Sequence, residues 1–290
     1  MSYAIIECEK KKLFNRIDVD EVLNEVHIKL PFFKEKKSQK YAKKVCKHLK
    51  KHKVSSAVLS TELSNNEIFK NVLYMQNNYV ITGNRLYVAL VRKVMCNICE
   101  LLDVPIETIF ASILSHEFSI ENLDLVKYIS KSIKHLTVVS ENKERFENTI
   151  GALLEDEGIV IEVLKNENCN ISKSHFIINL DFTEDEMKKL ILPKEAVVIS
   201  IKENIAGLRK NFSGVIINDI SIYLNKKVEN FRTLALCEAY TYDYKKKISE
   251  NERLFERSEY KINGYIGNKG TIKEEELAKM GKMFTKKSRK

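Results

Sequence analysis

Thr108-Ile109-Phe110-Ala111-Ser112-Ile113-Leu114 is a run of apolar and small residues. It is followed by Ser115-His116-Glu117-Phe118-Ser119, then by Ile120, Leu123, Val126, Ile129 and Ile133 at helical spacing. A short run without polar alternation is the pattern of a strand covered on both faces. An apolar stripe with period 3.6 directly after it reads as a helix packed on that strand. The stretch is therefore predicted as strand, turn and helix, with its strand central in a largely parallel sheet.

The same alternation continues on both sides. Downstream, strands are predicted at 136–139, 159–164, 175–180, 196–201 and 215–217, with helices at 119–134, 145–157 and 183–190 between them. Upstream, strands at 3–7, 27–32, 57–60 and 79–82 alternate with helical segments at 19–26, 38–53, 65–75 and 85–102. Asp103-Val104-Pro105 should stop the last of these, because a residue before proline avoids the α region. After about 224 the pattern changes. A helix is expected over 230–247, a turn or small hairpin at the three glycines of 262–272, and a charged helix over 273–283. The expected fold is α/β: an N-terminal α/β domain at 1–104, a doubly wound parallel sheet at 105–224, and a helical return with a basic tail at 225–290.

The chain has 290 residues, 44% of them hydrophobic and 31% charged, with three prolines and nine glycines. That composition builds cores and excludes collagen-like and disordered classes. No apolar run approaches the roughly 20 residues that cross a bilayer, and the first residues lack a signal-peptide core. A cytoplasmic protein is expected. The six cysteines include one CxxC, Cys96 and Cys99, inside a predicted helix. A lone CxxC without a second pair or ligand-spaced histidines fits packing along that helix better than zinc.

Net charge is +9, and its distribution is uneven. Residues 34–53 hold ten lysines against one acid, Glu35, and residues 281–290 hold Lys282, Lys286, Lys287, Arg289 and Lys290 with no acid. Within the first segment Tyr41, Val45 and Leu49 recur every four residues, which gives a helix with a lysine-rich outer side. Such a side is either a solvated surface or a weak contact for a polyanion such as nucleic acid.

The residues after the strand at 136–139 carry the strongest local signal. Ser140-Glu141-Asn142-Lys143-Glu144-Arg145 stands where a dinucleotide-binding sheet meets the adenosine ribose. The cluster Asn142, Lys143 and Arg145 resembles the Asn-Arg-Thr stretch of the shikimate dehydrogenase and glutamyl-tRNA reductase class of oxidoreductases. Ile177-Ile178-Asn179-Leu180 is similar to the Ile-Asn-Ala-Thr stretch of that class, and the domain order is similar too. The resemblance implies a Rossmann-like domain that binds NAD(P), with NADP favoured because cationic side chains suit a 2′-phosphate. Ser140, Asn142, Lys143 and Arg145 would then contact the cofactor, joined by the hydroxyls of Ser115 and Ser119 in the first turn.

That first turn departs from the class, because Leu114 to Ser119 contains no glycine. Glycines there let the backbone approach a pyrophosphate. Phe118 and Glu117 oppose one by size and by charge. Two readings of the domain follow: a divergent NAD(P)-dependent oxidoreductase, or a catalytically idle relative. The rival from another class is a non-enzymatic protein that touches polyanions through 34–53 and the basic tail. His116 is expected as a loop histidine or, beside Glu117, as an acid–base group. His175 is expected to be structural. Asp181 and Asp219 each follow a strand, where turn and cap roles are common.

Overall fold

The computed structural model describes every residue except 1–2, 10–16, 23–24, 134, 158–159, 167–168, 203, 209–211, 226–229, 282–283 and 285–290. Two compact units emerge. One comprises Met1–Leu86, Ile222–Tyr242 and Ser258–Lys261; the other comprises Tyr87–Ser221, Asp243–Arg257 and Ile262–Lys290.

The chain begins with β1 (Tyr3–Glu9), β2 (Asp18–Val22), β3 (Glu25–Pro31), α1 (Ser38–Lys51), β4 (Ser56–Leu59), α2 (Thr61–Ser64), α3 (Glu67–Met75) and β5 (Tyr79–Ile81). Next come α4 (Asn84–Leu101), β6 (Phe110–Leu114), α5 (Ile120–Ser130), β7 (His135–Val139), α6 (Lys143–Glu157) and β8 (Val160–Leu164). They are followed by β9 (Phe176–Asn179), α7 (Glu184–Lys189), β10 (Val197–Ser200), β11 (Val215–Ile217) and β12 (Asp219–Tyr223). The last elements are α8 (Thr233–Thr241), α9 (Ile248–Arg257), β13 (Lys261–Gly267), β14 (Gly270–Ile272) and α10 (Glu274–Ala278).

The first unit is built on a five-stranded sheet in the order β2-β3-β1-β4-β5. All neighbours are parallel except β2, which runs antiparallel on the edge against β3. The helix predicted at 19–26 is thus corrected to strand. Val19, Val22 and Val26 mimic helical spacing, but Val26, Ile28 and Leu30 are buried along β3 and alternate as strand residues do, before buried Pro31 at its end. Val19 faces Ile28 across the pair. On one face α1 buries Tyr41, Ala42, Val45 and Leu49 in a core shared with Phe69 and Leu73 of α3. On the other, Ala235 and Leu236 of α8 pack with Tyr3, Ile5, Val58 and Ile81. The helix predicted over 230–247 is shorter, ending at Thr241, and α9 beyond it had no counterpart in the sequence pattern.

The second unit holds a six-stranded, all-parallel sheet in the order β11-β10-β9-β6-β7-β8. Counted from β6 as the first strand and read from the far edge, that order is 3-2-1-4-5-6, the doubly wound order of the Rossmann fold. The strand expected to be central is central. It begins at Phe110, because residues 106–108 form a 3-10 turn. β9 and β10 are buried at every position, as a sheet covered on both sides requires. A separate three-stranded sheet, β12-β13-β14, contains the hairpin expected at 262–272, with Gly267 facing Gly270 across the turn.

Among the described residues no helix is long and apolar enough to cross a membrane. Cys96 and Cys99 lie on α4 as free thiols, and burial pushes the Cys99 thiol up to about 12.

Candidate functional site

In a doubly wound sheet ligands gather at the carboxyl ends of the strands where the winding reverses. Here that point lies between β6 and β9. Two loops meet there: Ser115 to Ser119 after β6, and Leu180 to Thr183 after β9. The loop after β7 adds Ser140 to Asn142.

The turn after β6 is closed by its own hydrogen bonds. Asn122 of α5 donates through its side-chain amide to Ser115 Oγ at 2.8 Å and to the Glu117 carbonyl at 2.9 Å. Ser115 Oγ donates to the same carbonyl at 2.9 Å. Ser119 caps α5, its hydroxyl accepting from the Asn122 N–H at 3.0 Å. The His116 N–H donates to the Asp181 carboxylate at 2.8 Å. The ring of Phe118 packs edge-on against buried Phe146, with centroids 4.9 Å apart.

His116 is the hub. Its imidazole lies on the Phe182 ring at 4.2 Å and 16°. Nε2 stands 3.1 Å from Glu186 and Nδ1 stands 3.4 Å from Glu141. Its carbonyl accepts the Asn142 amide at 2.8 Å. Glu186 is the third residue of α7, in a reciprocal cap with Thr183. Its carboxylate accepts the Thr183 N–H at 2.8 Å and the Thr183 hydroxyl at 2.7 Å. Partial burial raises the Glu186 carboxyl, but the bonds from Thr183 and His116 outweigh it and bring the group down to about 2.

This gives a test with a defined sign. A carboxyl lowered on folding contributes stability that is complete above its ordinary value of 4.5 and is lost as pH falls toward 2. Its side chain is 30% exposed, so water weakens the effect. Glu186→Gln should cost about 1 kcal/mol at neutral pH, and the gap to wild type should close as the pH falls below 4.5. Urea denaturation of both proteins at several pH values reads this. A gap that stays constant down to the acid limit would refute it.

Of the residues expected to hold a cofactor, Ser115, Ser119, Ser140 and Asn142 gather at the β6 turn, whereas Lys143 and Arg145 lie on α6. Ser115 and Ser119 do meet in the turn, but both hydroxyls bond to their own loop. Ser140 Oγ accepts the Asn142 N–H at 3.1 Å, and the Asn142 amide turns back to His116. Lys143 pairs with Glu147 one turn along α6 at 3.3 Å. Arg145 is exposed on that helix. His116 is partnered by Glu141 and Glu186 rather than by its sequence neighbour Glu117. Asp181 holds the His116 backbone, whereas Asp219 accepts the N–H of its neighbour Ile220 at 2.8 Å. His175 is buried, and its Nδ1 accepts the Phe110 N–H at 3.0 Å, a structural role. Asn122 and Glu186 went unread as site residues, although Thr183-Glu184-Asp185-Glu186 carries the spacing of a capping box.

Two features of this turn bear on a dinucleotide's pyrophosphate. The pyrophosphate would need N–H groups of the turn, and those of His116 and Asn122 are already bonded. It would also meet the carboxylates of Glu141, Asp181 and Glu186 around His116.

No protein-family model matches the sequence, and no curated protein matches it. Solved structures similar to the chain include L-tryptophan dehydrogenase from Nostoc punctiforme, at 8% identity and a TM-score of 0.37 over 91% of this chain and 77% of that one. A chorismate mutase/shikimate 5-dehydrogenase fusion protein from Clostridium acetobutylicum shares 10% identity at a TM-score of 0.29, over 100% of this chain and 99% of that one. The ligand-free form of 5-ketofructose reductase of Gluconobacter sp. strain CHM43 shares 10% identity at 0.34, over 97% and 98%. These superpositions are loose, and the assignment of a Rossmann-like sheet rests on its strand order.

Proposed function

We propose that this chain is a catalytically idle relative of the NAD(P)-dependent Rossmann oxidoreductases, with its dinucleotide crevice converted into a structural latch. One observation carries the reading. His116 occupies the mouth of the crevice, stacked on Phe182 and bracketed by Glu141 and Glu186. The groups that would receive a phosphate instead tie the β6 turn to α5, α7 and the β7 loop. An anion entering there must displace internal hydrogen bonds and face three carboxylates, while Lys143 is paired with Glu147 along α6 and Arg145 is exposed on that helix.

Calorimetry with NADH and NADPH tests this. Neither cofactor should bind at concentrations up to about 1 mM, a limit near −4 kcal/mol. Binding of NADPH in the low micromolar range would overturn the reading, above all if Lys143→Ala with Arg145→Ala abolished it. That result would establish the divergent oxidoreductase instead, with a cationic cluster reading the 2′-phosphate.

A further inference from the structure

The lysine-rich side of α1 belongs to the first unit and has no part in the latch. Lys40, Lys43, Lys44, Lys47, Lys50 and Lys51 are all exposed, and Lys34, Lys36, Lys37 and Lys53 extend the exposed set beyond both ends of the helix. Successive lysines three or four residues apart stand about 5–6 Å apart along the axis, so Lys40 to Lys51 makes a ridge about 17 Å long.

Two features separate this ridge from an ordinary solvated face. Ser38–Lys51 contains no Asp or Glu, so Lys40 and Lys44, Lys43 and Lys47, and Lys47 and Lys51 are like-charged neighbours that weaken the helix. Other helices pair their lysines: Lys70 with Glu67 on α3, Lys143 with Glu147 on α6, and Lys188 with Glu184 on α7. A surface needed only for solubility is served equally by mixed charges. The second feature is the helix's apolar side. Tyr41, Ala42, Val45 and Leu49 are sealed in the core against α3 and the sheet. No apolar face remains to enter a lipid interface, which membrane-surface helices require.

We propose that the α1 ridge is a docking surface for the phosphate backbone of duplex nucleic acid, without sequence readout. A duplex carries about one charge per 1.7 Å, the linear density that relieves a row of lysines. Lysine ammoniums act as point charges rather than planar forks, so they fix position on a backbone and do not read bases.

The test is fluorescence anisotropy of the full chain with a labelled DNA duplex of about 20 base pairs across a salt series. Wild type should bind, with affinity falling steeply as salt rises and a log–log slope of about −4 or steeper. Lys40→Gln, Lys43→Gln, Lys47→Gln and Lys51→Gln combined should lower affinity at least about 100-fold at low salt and flatten the slope by about 3 to 4. The helical signal and melting temperature of this variant should hold or rise, since repulsion is removed. A control variant carries glutamine at Lys282, Lys286, Lys287 and Lys290, in the tail that lies outside the described residues. The proposal falls if wild type does not bind at about 20 mM salt, if the α1 variant binds normally, or if only the tail variant loses binding. It also falls if phosphatidylserine vesicles are bound as tightly as the duplex.

Discussion

Arg92→Met is expected to cost about 3 kcal/mol of stability, the largest effect anticipated from a single replacement in the second unit. Arg92 of α4 faces Glu252 of α9, with Nε 3.5 Å from a carboxylate whose side chain is 2% exposed. The Tyr128 hydroxyl of α5 donates to the same carboxylate, and the Arg92 guanidinium lies 5.1 Å from the centre of the Tyr128 ring. Burial and then the bond to Glu252 push the Tyr128 hydroxyl up to about 12. Without the guanidinium, Glu252 is a buried charge with one neutral donor and no counter-charge. Breaking a buried pair from one side costs about 3–5 kcal/mol, and the 31% exposure of Arg92 places this case at the lower end.

The two halves of the pair are not equivalent. Glu252→Leu leaves a guanidinium that still reaches water and Ser132, so its cost should be smaller, about 1–2 kcal/mol. The double replacement should recover much of the loss, as buried pairs exchanged for apolar groups usually do. Urea unfolding of the three variants measures all of this. Equal costs for the two single replacements, or an Arg92→Met cost under about 1 kcal/mol, would contradict the assignment.

Gly83→Ala is expected to cost about 3 kcal/mol in the first unit. Gly83 joins β5 to α4 with φ +91°, a left-handed conformation. A side chain there costs about 1–2 kcal/mol from backbone sterics alone. A Cβ would also stand 2.8 Å from the Ala235 nitrogen and 3.0 Å from the Leu234 carbonyl carbon, both backbone atoms of α8. That helix cannot retreat cheaply. Glu238 accepts the N–H groups of Arg85 and Leu86 at 3.1 and 3.2 Å. Arg232, just before α8, donates to the Thr82 carbonyl at 2.7 Å and the Asn84 side chain at 2.8 Å. Thermal unfolding checks the figure. A variant as stable as wild type would mean that α8 does not press on this turn.

Much of the architecture follows from local pattern. Thr108 to Leu114 reads as a buried strand because it is continuously apolar, and α1 reads as one-sided because its apolar residues recur every four positions. The hairpin at 262–272 is written in its glycines. These features depend on neighbours a few residues apart, so periodicity and turn chemistry suffice. β2 escaped that reading because three valines satisfy a helical period by chance. Only pairing with β3 decides between the two.

The contacts at the strand ends are another matter. Periodicity states which face of a strand is buried and not which strand lies beside it; the doubly wound order expected at 105–224 follows from the alternation of strands and helices, and the side-chain partners at the β6–β9 reversal do not. The site depended on that reversal. Asn142, Lys143 and Arg145 are adjacent in the chain, and the structure gives Asn142 to the His116 carbonyl and Lys143 to Glu147, while Arg145 is exposed on α6. The partners of His116 stand 25, 65 and 70 residues away, at Glu141, Asp181 and Glu186. The sequence by itself determined the elements and their apolar faces, which are set by local sterics and hydrophobic period. Tertiary structure alone decided which loops met, because side chains from distant strands share a site only after the winding of the sheet has brought their ends together.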